Sequence, residues 1–207
     1  MGFKNRIFYS KPEGVDIDNL GAIKNPSRLL WYAKEHNITT VPLDLEALCK
    51  QLNIPVVYQT LAEVHGIKVA GILQRRLDGD EWTMYIQKKL DRRRQRFLIA
   101  HLLGHYFLHR DYHSVFVCDE AYYLCRRVTE KQQECWKATE FAAALLMPRE
   151  ELVKQIETVG NDPVELAEIF EVNTLAIRFQ LERTGLWDKD YMLVENKNGY
   201  TGETSDN

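Results

Sequence analysis

Residues 96–110, RFLIAHLLGHYFLHR, constrain this chain more than any other stretch. His101, His105 and His109 recur every four residues, among the apolar Phe97, Leu98, Ile99, Leu102 and Leu103. A helix so composed is largely buried, and buried imidazoles need partners. Positions i and i+4 stack one turn apart, so His101 and His105 can present neutral nitrogens to one cation. Each four-residue step also rotates by about 40° at 3.6 residues per turn. His109 therefore drifts off the line and reads as a second-layer or core group rather than a ligand. Gly104 allows another backbone to approach closely.

Zinc-dependent hydrolysis on such a helix needs a third ligand from another element and an open position for water. It also needs a carboxylate beside the first histidine to take the water's proton. The usual pattern is H-E-x-x-H. Here Leu102 stands in the glutamate's place, and leucine accepts no proton. Two histidines four apart also arise by chance, so the spacing alone carries little. The apolar flanks add weight, because two stacked buried histidines without a metal would need two separate sets of partners.

At 207 residues the chain suits one compact domain, with or without a small appendage. A net charge of −3 gives no basic field to attract nucleic acid. The local run Lys88-Lys89 and Arg92-Arg93-Arg94 reads as a solvated helix entry. Cys49, Cys118, Cys125 and Cys135 contain no C-x-x-C pair and are too scattered for a disulfide framework. With no apolar leader and no membrane-length run, a cytoplasmic protein with reduced thiols is expected.

Residues 1–24 read as an irregular arm. Asn25-Pro26-Ser27 opens a helix closing at His36-Asn37, and a second runs from about 43 to 52. Residues 54–61 read as a strand, and 69–77 and 81–89 as a hairpin around Asp78-Gly79-Asp80. The histidine helix spans about 90–109. Residues 111–129 are expected to be irregular. Further helices are expected at about 130–146, 148–157, 163–171 and 174–184, the last stopping at Gly185. The polar segment 188–207 reads as a tail.

RQRFLIAHLLGHYFLH followed by ATEFAAALLMP resembles the ImmA/IrrE family of bacterial and phage metallopeptidases, over about residues 25–187. The resemblance implies an α+β, zincin-like fold, with a small antiparallel sheet packed on the active-site helix and a helical C-terminal segment. Its division would be a metallopeptidase-type domain over 25–158 and a helix-turn-helix-like segment over 159–187. It implies a zinc ion, and as partner a helix-turn-helix repressor that such proteins cleave in phage, mobile-element or stress regulation.

The chain departs from the family where the chemistry lies. Leu102 replaces the general base, and the ungapped FAAALLMP match puts Cys135 at the third ligand and Thr139 at the family's asparagine. Three readings stay open: thiolate ligation completing His101, His105 and Cys135; no metal; or Glu134, about 100° round the helix, recruited instead. His109 and Thr139 would then be second-layer groups. Glu134, Asp119, Glu120 and Glu140 are the remote carboxylates able to substitute as base. A separate metal site from Cys118, Cys125, His113 and Asp119 matches no standard spacing.

Loss of base and change of ligand favour a catalytically degenerate protein that docks a repressor-like partner. The alternative is an active zinc metalloendopeptidase with a substitute base. A DNA-binding regulator is the third reading, with Thr174, Arg178, Gln180 and Arg183 as candidate contacts. Glu165, Glu168, Glu171 and Glu182 in the same segment disfavour a phosphate-facing surface, so packing or partner contact through Arg178 and Arg183 is preferred.

Overall fold

The computed structural model describes residues 23–63, 66–120 and 130–187; the segments expected as an N-terminal arm and a polar tail fall almost wholly outside them. Helix α1 (Pro26–Glu35) starts where Asn25 Oδ1 accepts from the Ser27 amide at 2.9 Å, with Pro26 pre-set for a first turn. Helix α2 (Leu45–Gln51) starts the same way, Asp44 accepting from the Ala47 amide at 2.9 Å. Strand β1 (Val56–Gln59) follows, then β2 (Val69–Arg75) and β3 (Trp82–Gln87). Asp78-Gly79 lies at the tip between β2 and β3, and the Arg76 amide closes the turn on the Glu81 carbonyl at 2.7 Å.

Helix α3 (Arg92–His109) is capped by Asp91. Strand β4 (Val115–Asp119), helix α4 (Glu130–Leu146) and the shorter α5 (Arg149–Val159), α6 (Pro163–Ile169) and α7 (Thr174–Thr184) complete the described chain. Gly185, at φ 69°, ends α7 in the left-handed conformation that glycine adopts without strain.

The architecture is the expected α+β one, a small sheet on the histidine helix, with two corrections. The sheet, ordered β1-β3-β2-β4, is mixed: β2 is antiparallel to β3 and β4, while β1 runs parallel to β3. The Asp-Gly turn dictates only the β2–β3 pairing; β1 is joined through a longer excursion and settles on the far side of β3. The second correction is β4 itself, which occupies the centre of the segment expected to be irregular.

Helix α3 is buried on both sides, because the sheet covers one face and α4 the other. Two glycines record how closely these layers meet. At Gly71 of β2, an added Cβ would lie 2.9 Å from Leu98 Cδ2 and 3.3 Å from Leu102 Cδ1. At Gly104 of α3 it would lie 2.8 Å from the Ala138 carbonyl oxygen of α4. Arg96 ties the start of α3 to two distant turns. Its guanidinium donates to the Leu43 carbonyl at 2.9 Å and the Glu171 carbonyl at 3.2 Å. Arg94 donates to the Glu120 carbonyl at 2.9 Å, holding the end of β4 beside α3.

Helices α6 and α7 pack into the core through Leu166, Ile177 and Leu181, and the turn between them through Phe170 and Val172. Gln180, expected as an exposed contact, is buried and donates to the Met147 carbonyl at 2.8 Å. Its side-chain oxygen accepts from Arg183 Nε at 3.1 Å, while Arg178 stands 5.9 Å from the Trp187 ring centre. The helical pair is thus fastened to the end of α4. No described helix is long and apolar enough to cross a membrane.

Candidate metal centre

Helix α3 carries His101, His105 and His109 in line, and all three are buried. Each imidazole has one nitrogen engaged in a way that orients its ring. The Thr139 hydroxyl donates to the Cys135 carbonyl one turn back on α4, at 3.0 Å. With its proton used there, Thr139 Oγ1 can only accept from His101 Nδ1, 3.2 Å away. His101 is thereby held as the Nδ1–H tautomer, and its Nε2 keeps a lone pair. His105 Nδ1 lies 3.2 Å from His109 Nδ1, which leaves His105 Nε2 as the nitrogen able to ligate. A metal-binding histidine commonly donates its other nitrogen in this manner, which fixes tautomer and ring angle.

The electrostatics agree with neutral imidazoles. Burial, helped by the neighbouring His109, drives the His101 pKa down to about 3. Burial and the adjoining histidines push His105 well below its ordinary value. His109 is lowered chiefly by burial, against the opposing field of Glu134. Neutral nitrogen is the form a cation takes.

Two thiols approach these nitrogens from different elements. Cys118 alternates inward with Phe116 on β4, while Val115, Val117 and Asp119 point out. Ligand atoms of His101, His105 and Cys118 all lie within 4.8 Å of one another. Phe116 stacks on the His105 ring, centroids 4.7 Å apart, and so seats β4 against the cluster. From α4, Cys135 Sγ reaches to 3.7 Å of His101 Nε2. Cys135, read from sequence as the third ligand, therefore stands beside His101, but the tighter cluster contains Cys118.

From the sequence, Cys118 figures only in a grouping with Cys125, His113 and Asp119 whose spacing matches no standard zinc pattern. Cys125 lies outside the described residues, Asp119 is on the exposed face of β4, and His113 Nε2 sits 3.1 Å from Glu134 Oε1. That pairing also occupies Glu134, the alternative ligand, on the outer side of α4. The signal for Cys118 was present as the alternating run Val115-Phe116-Val117-Cys118, but its pairing with β2 is a long-range fact.

Leu102 is fully buried, with its Cδ1 over Gly71 of the sheet. The general-base position is thus core packing. The residues fit a cation of the zinc class: two neutral imidazoles of set tautomer and soft sulfur donors.

Comparison with known proteins shows the family of the chain. A family model, the IrrE N-terminal-like domain of peptidases, matches residues 49–182, from the end of α2 into α7. The metallopeptidase ImmA of Bacillus subtilis (strain 168) is 28% identical over 116 residues, covering 56% of this chain and 64% of that protein. The chain thus spans less than two thirds of that relative's length. With the family's model covering the sheet, the histidine helix and α4, the chain belongs to the IrrE N-terminal-like peptidase family and has its metallopeptidase fold.

Proposed function

We propose that this protein is a non-hydrolytic member of its family that binds a metal through His101, His105 and cysteine thiolate and docks a helix-turn-helix repressor. The observation that carries this reading is Leu102, fully buried where the general base would stand. Loss of a positioned base typically lowers a rate by about 10²–10⁴. Among the described residues, the only grouping of three or more ligand side chains contains no carboxylate to replace it. Asp119 faces away from the site and Glu134 is paired with His113. The repressor as partner follows from the family resemblance, and the metal from the donor set.

The test is to mix the zinc-supplied full chain with a helix-turn-helix repressor encoded beside it. Size-exclusion chromatography should give a stable complex, and mass spectrometry an uncut repressor. Chelator-sensitive cleavage, abolished by His101→Ala, would establish the active-enzyme alternative instead. Absence of a complex would remove the docking role.

A further inference from the structure

We infer that His101, His105, Cys118 and Cys135 together form a closed four-donor His₂Cys₂ site for a zinc-class cation, so that the metal is structural rather than catalytic. The inference rests on the non-hydrolytic reading and extends it by naming the whole ligand set. Hydrolytic zinc keeps three protein ligands and an open position for water, whereas structural zinc has four protein ligands in a tetrahedron. Here α3 supplies two nitrogens, β4 one thiol and α4 another. In a tetrahedron with Zn–N of ~2.0 Å and Zn–S of ~2.3 Å, nitrogen and sulfur donors stand ~3.5 Å apart. Cys135 Sγ is 3.7 Å from His101 Nε2, and Cys118 stands within 4.8 Å of both histidines. Cys135 stands outside that mutual 4.8 Å group, so an ion held by His101, His105 and Cys118 would draw it in from α4, past its 3.7 Å approach to His101, as the fourth donor.

The rest of the site is arranged for the same outcome. Thr139 fixes His101 as the Nδ1–H tautomer, so that its Nε2 lone pair faces Cys135 Sγ at 3.7 Å. Phe116 stacks on His105 and brings Cys118, two residues on, to the same inner face of β4. Leu102 takes no part in proton transfer, and a site with four protein donors holds no water to activate. Cys118 reaches the centre from a strand with no place in the H-E-x-x-H and FAAALLMP motifs.

The test uses the full-length chain loaded with Zn²⁺ or Co²⁺. Zinc-edge X-ray absorption on the unmodified protein should return two nitrogen and two sulfur neighbours, with about one zinc per chain. In the Co²⁺ form, a tetrahedral spectrum with sulfur-to-cobalt charge transfer is expected. That band should fall by about half in Cys118→Ala and in Cys135→Ala. Each variant should also lose more zinc affinity than the ~10–100-fold that removing an outer partner costs.

One sulfur neighbour overturns the four-donor site, as does a spectrum unmoved by Cys118→Ala, or a metal-free protein. The absorption measurement needs no variant, so misfolding of either substitution leaves the question decidable. Complex formation with the repressor is read separately: its loss with two sulfurs intact removes the docking role and leaves the site standing.

Discussion

Leu102→Glu returns the carboxylate that the H-E-x-x-H pattern carries, and the structure sets its consequences. Leu102 is fully buried against Gly71, where the sheet meets α3 without an intervening Cβ. Removing a fully buried leucine forfeits about 2–3 kcal/mol of apolar burial. Placing an unpartnered carboxyl there adds roughly 1–3 kcal/mol. The sum, about 3–6 kcal/mol, is a large part of the roughly 5–15 kcal/mol that holds a domain folded. With a urea slope of about 2 kcal/mol per molar, the unfolding midpoint should fall by about 1.5–3 M.

The pH dependence of that loss follows from burial. Burial raises the pKa of the new carboxyl, so the folded state keeps it protonated while the unfolded chain ionises above about 4.3. The unfolded state then binds fewer protons, and the deficit against the parent grows as pH rises. Urea titrations near pH 5 and pH 8 should show the larger loss at the higher pH. No zinc-dependent cleavage should appear, because a closed metal site holds no water for the new base. A midpoint within about 0.3 M of the parent, or a deficit that shrinks with rising pH, would refute the placing of Leu102 in the core.

Other perturbations test other parts of the argument. Lowering the pH from about 7.5 to 5.5 should cost the metal-free protein about 2–3 kcal/mol: His101, held neutral down to about 3, and His105, shifted the same way, both protonate near 6.5 once unfolded, so their stability is complete above that value and is lost as pH falls. Chemical denaturation across that range reads the slope. Gly104→Ala should destabilise by about 1–3 kcal/mol, since the methyl meets the Ala138 carbonyl at 2.8 Å and must part α3 from α4; thermal melting and zinc affinity should fall together. Arg96→Ala should cost roughly 2–4 kcal/mol through the stranded carbonyls of Leu43 and Glu171, and should raise amide exchange at the α2 cap and the α6–α7 turn. Zinc in about 1,000-fold excess over its Kd should stabilise the chain by about 4 kcal/mol, a gain that a chelator abolishes.

What could be read from the sequence was local. Asn25, Asp44 and Asp91 announce their helices because a cap is an interaction over three residues. Asp78-Gly79 announces one hairpin for the same reason. The histidine stripe and Gly104 mark a helix pressed by a neighbour, and α4 is that neighbour. Strand β4 was lost because five residues between a helix end and an aromatic-rich segment give too short a period, and its partner residues on β2 lie between 41 (Gln74↔Val115) and 50 (Val69↔Asp119) positions earlier. With β4 went the placing of Cys118. Gln180 misled in the opposite sense. A polar residue on a helix reads as exposed unless a buried carbonyl elsewhere, here that of Met147, requires its amide.

Charge explains why the second thiol matters. A divalent cation on two neutral imidazoles and one thiolate carries a net +1, and most of this centre is withdrawn from solvent, His101 at 0% and Cys118 at 5% exposed, with Cys135 half-buried at its edge. Isolated charge in such surroundings is costly. In a hydrolytic site an open face admits water and substrate, and a nearby carboxylate balances part of that charge. Leu102 leaves no carboxylate at that position, and Glu134 lies on the outer side of α4 with its Oε1 3.1 Å from His113 Nε2. A second thiolate brings the centre to neutrality without either. With leucine in place of a carboxylate at 102, the need for an anionic fourth ligand rises, and β4 places Cys118 within 4.8 Å of both histidines. Leucine at 102 and cysteine at 118 then suit the same arrangement, a metal that would hold α3, β4 and α4 together rather than one that activates water.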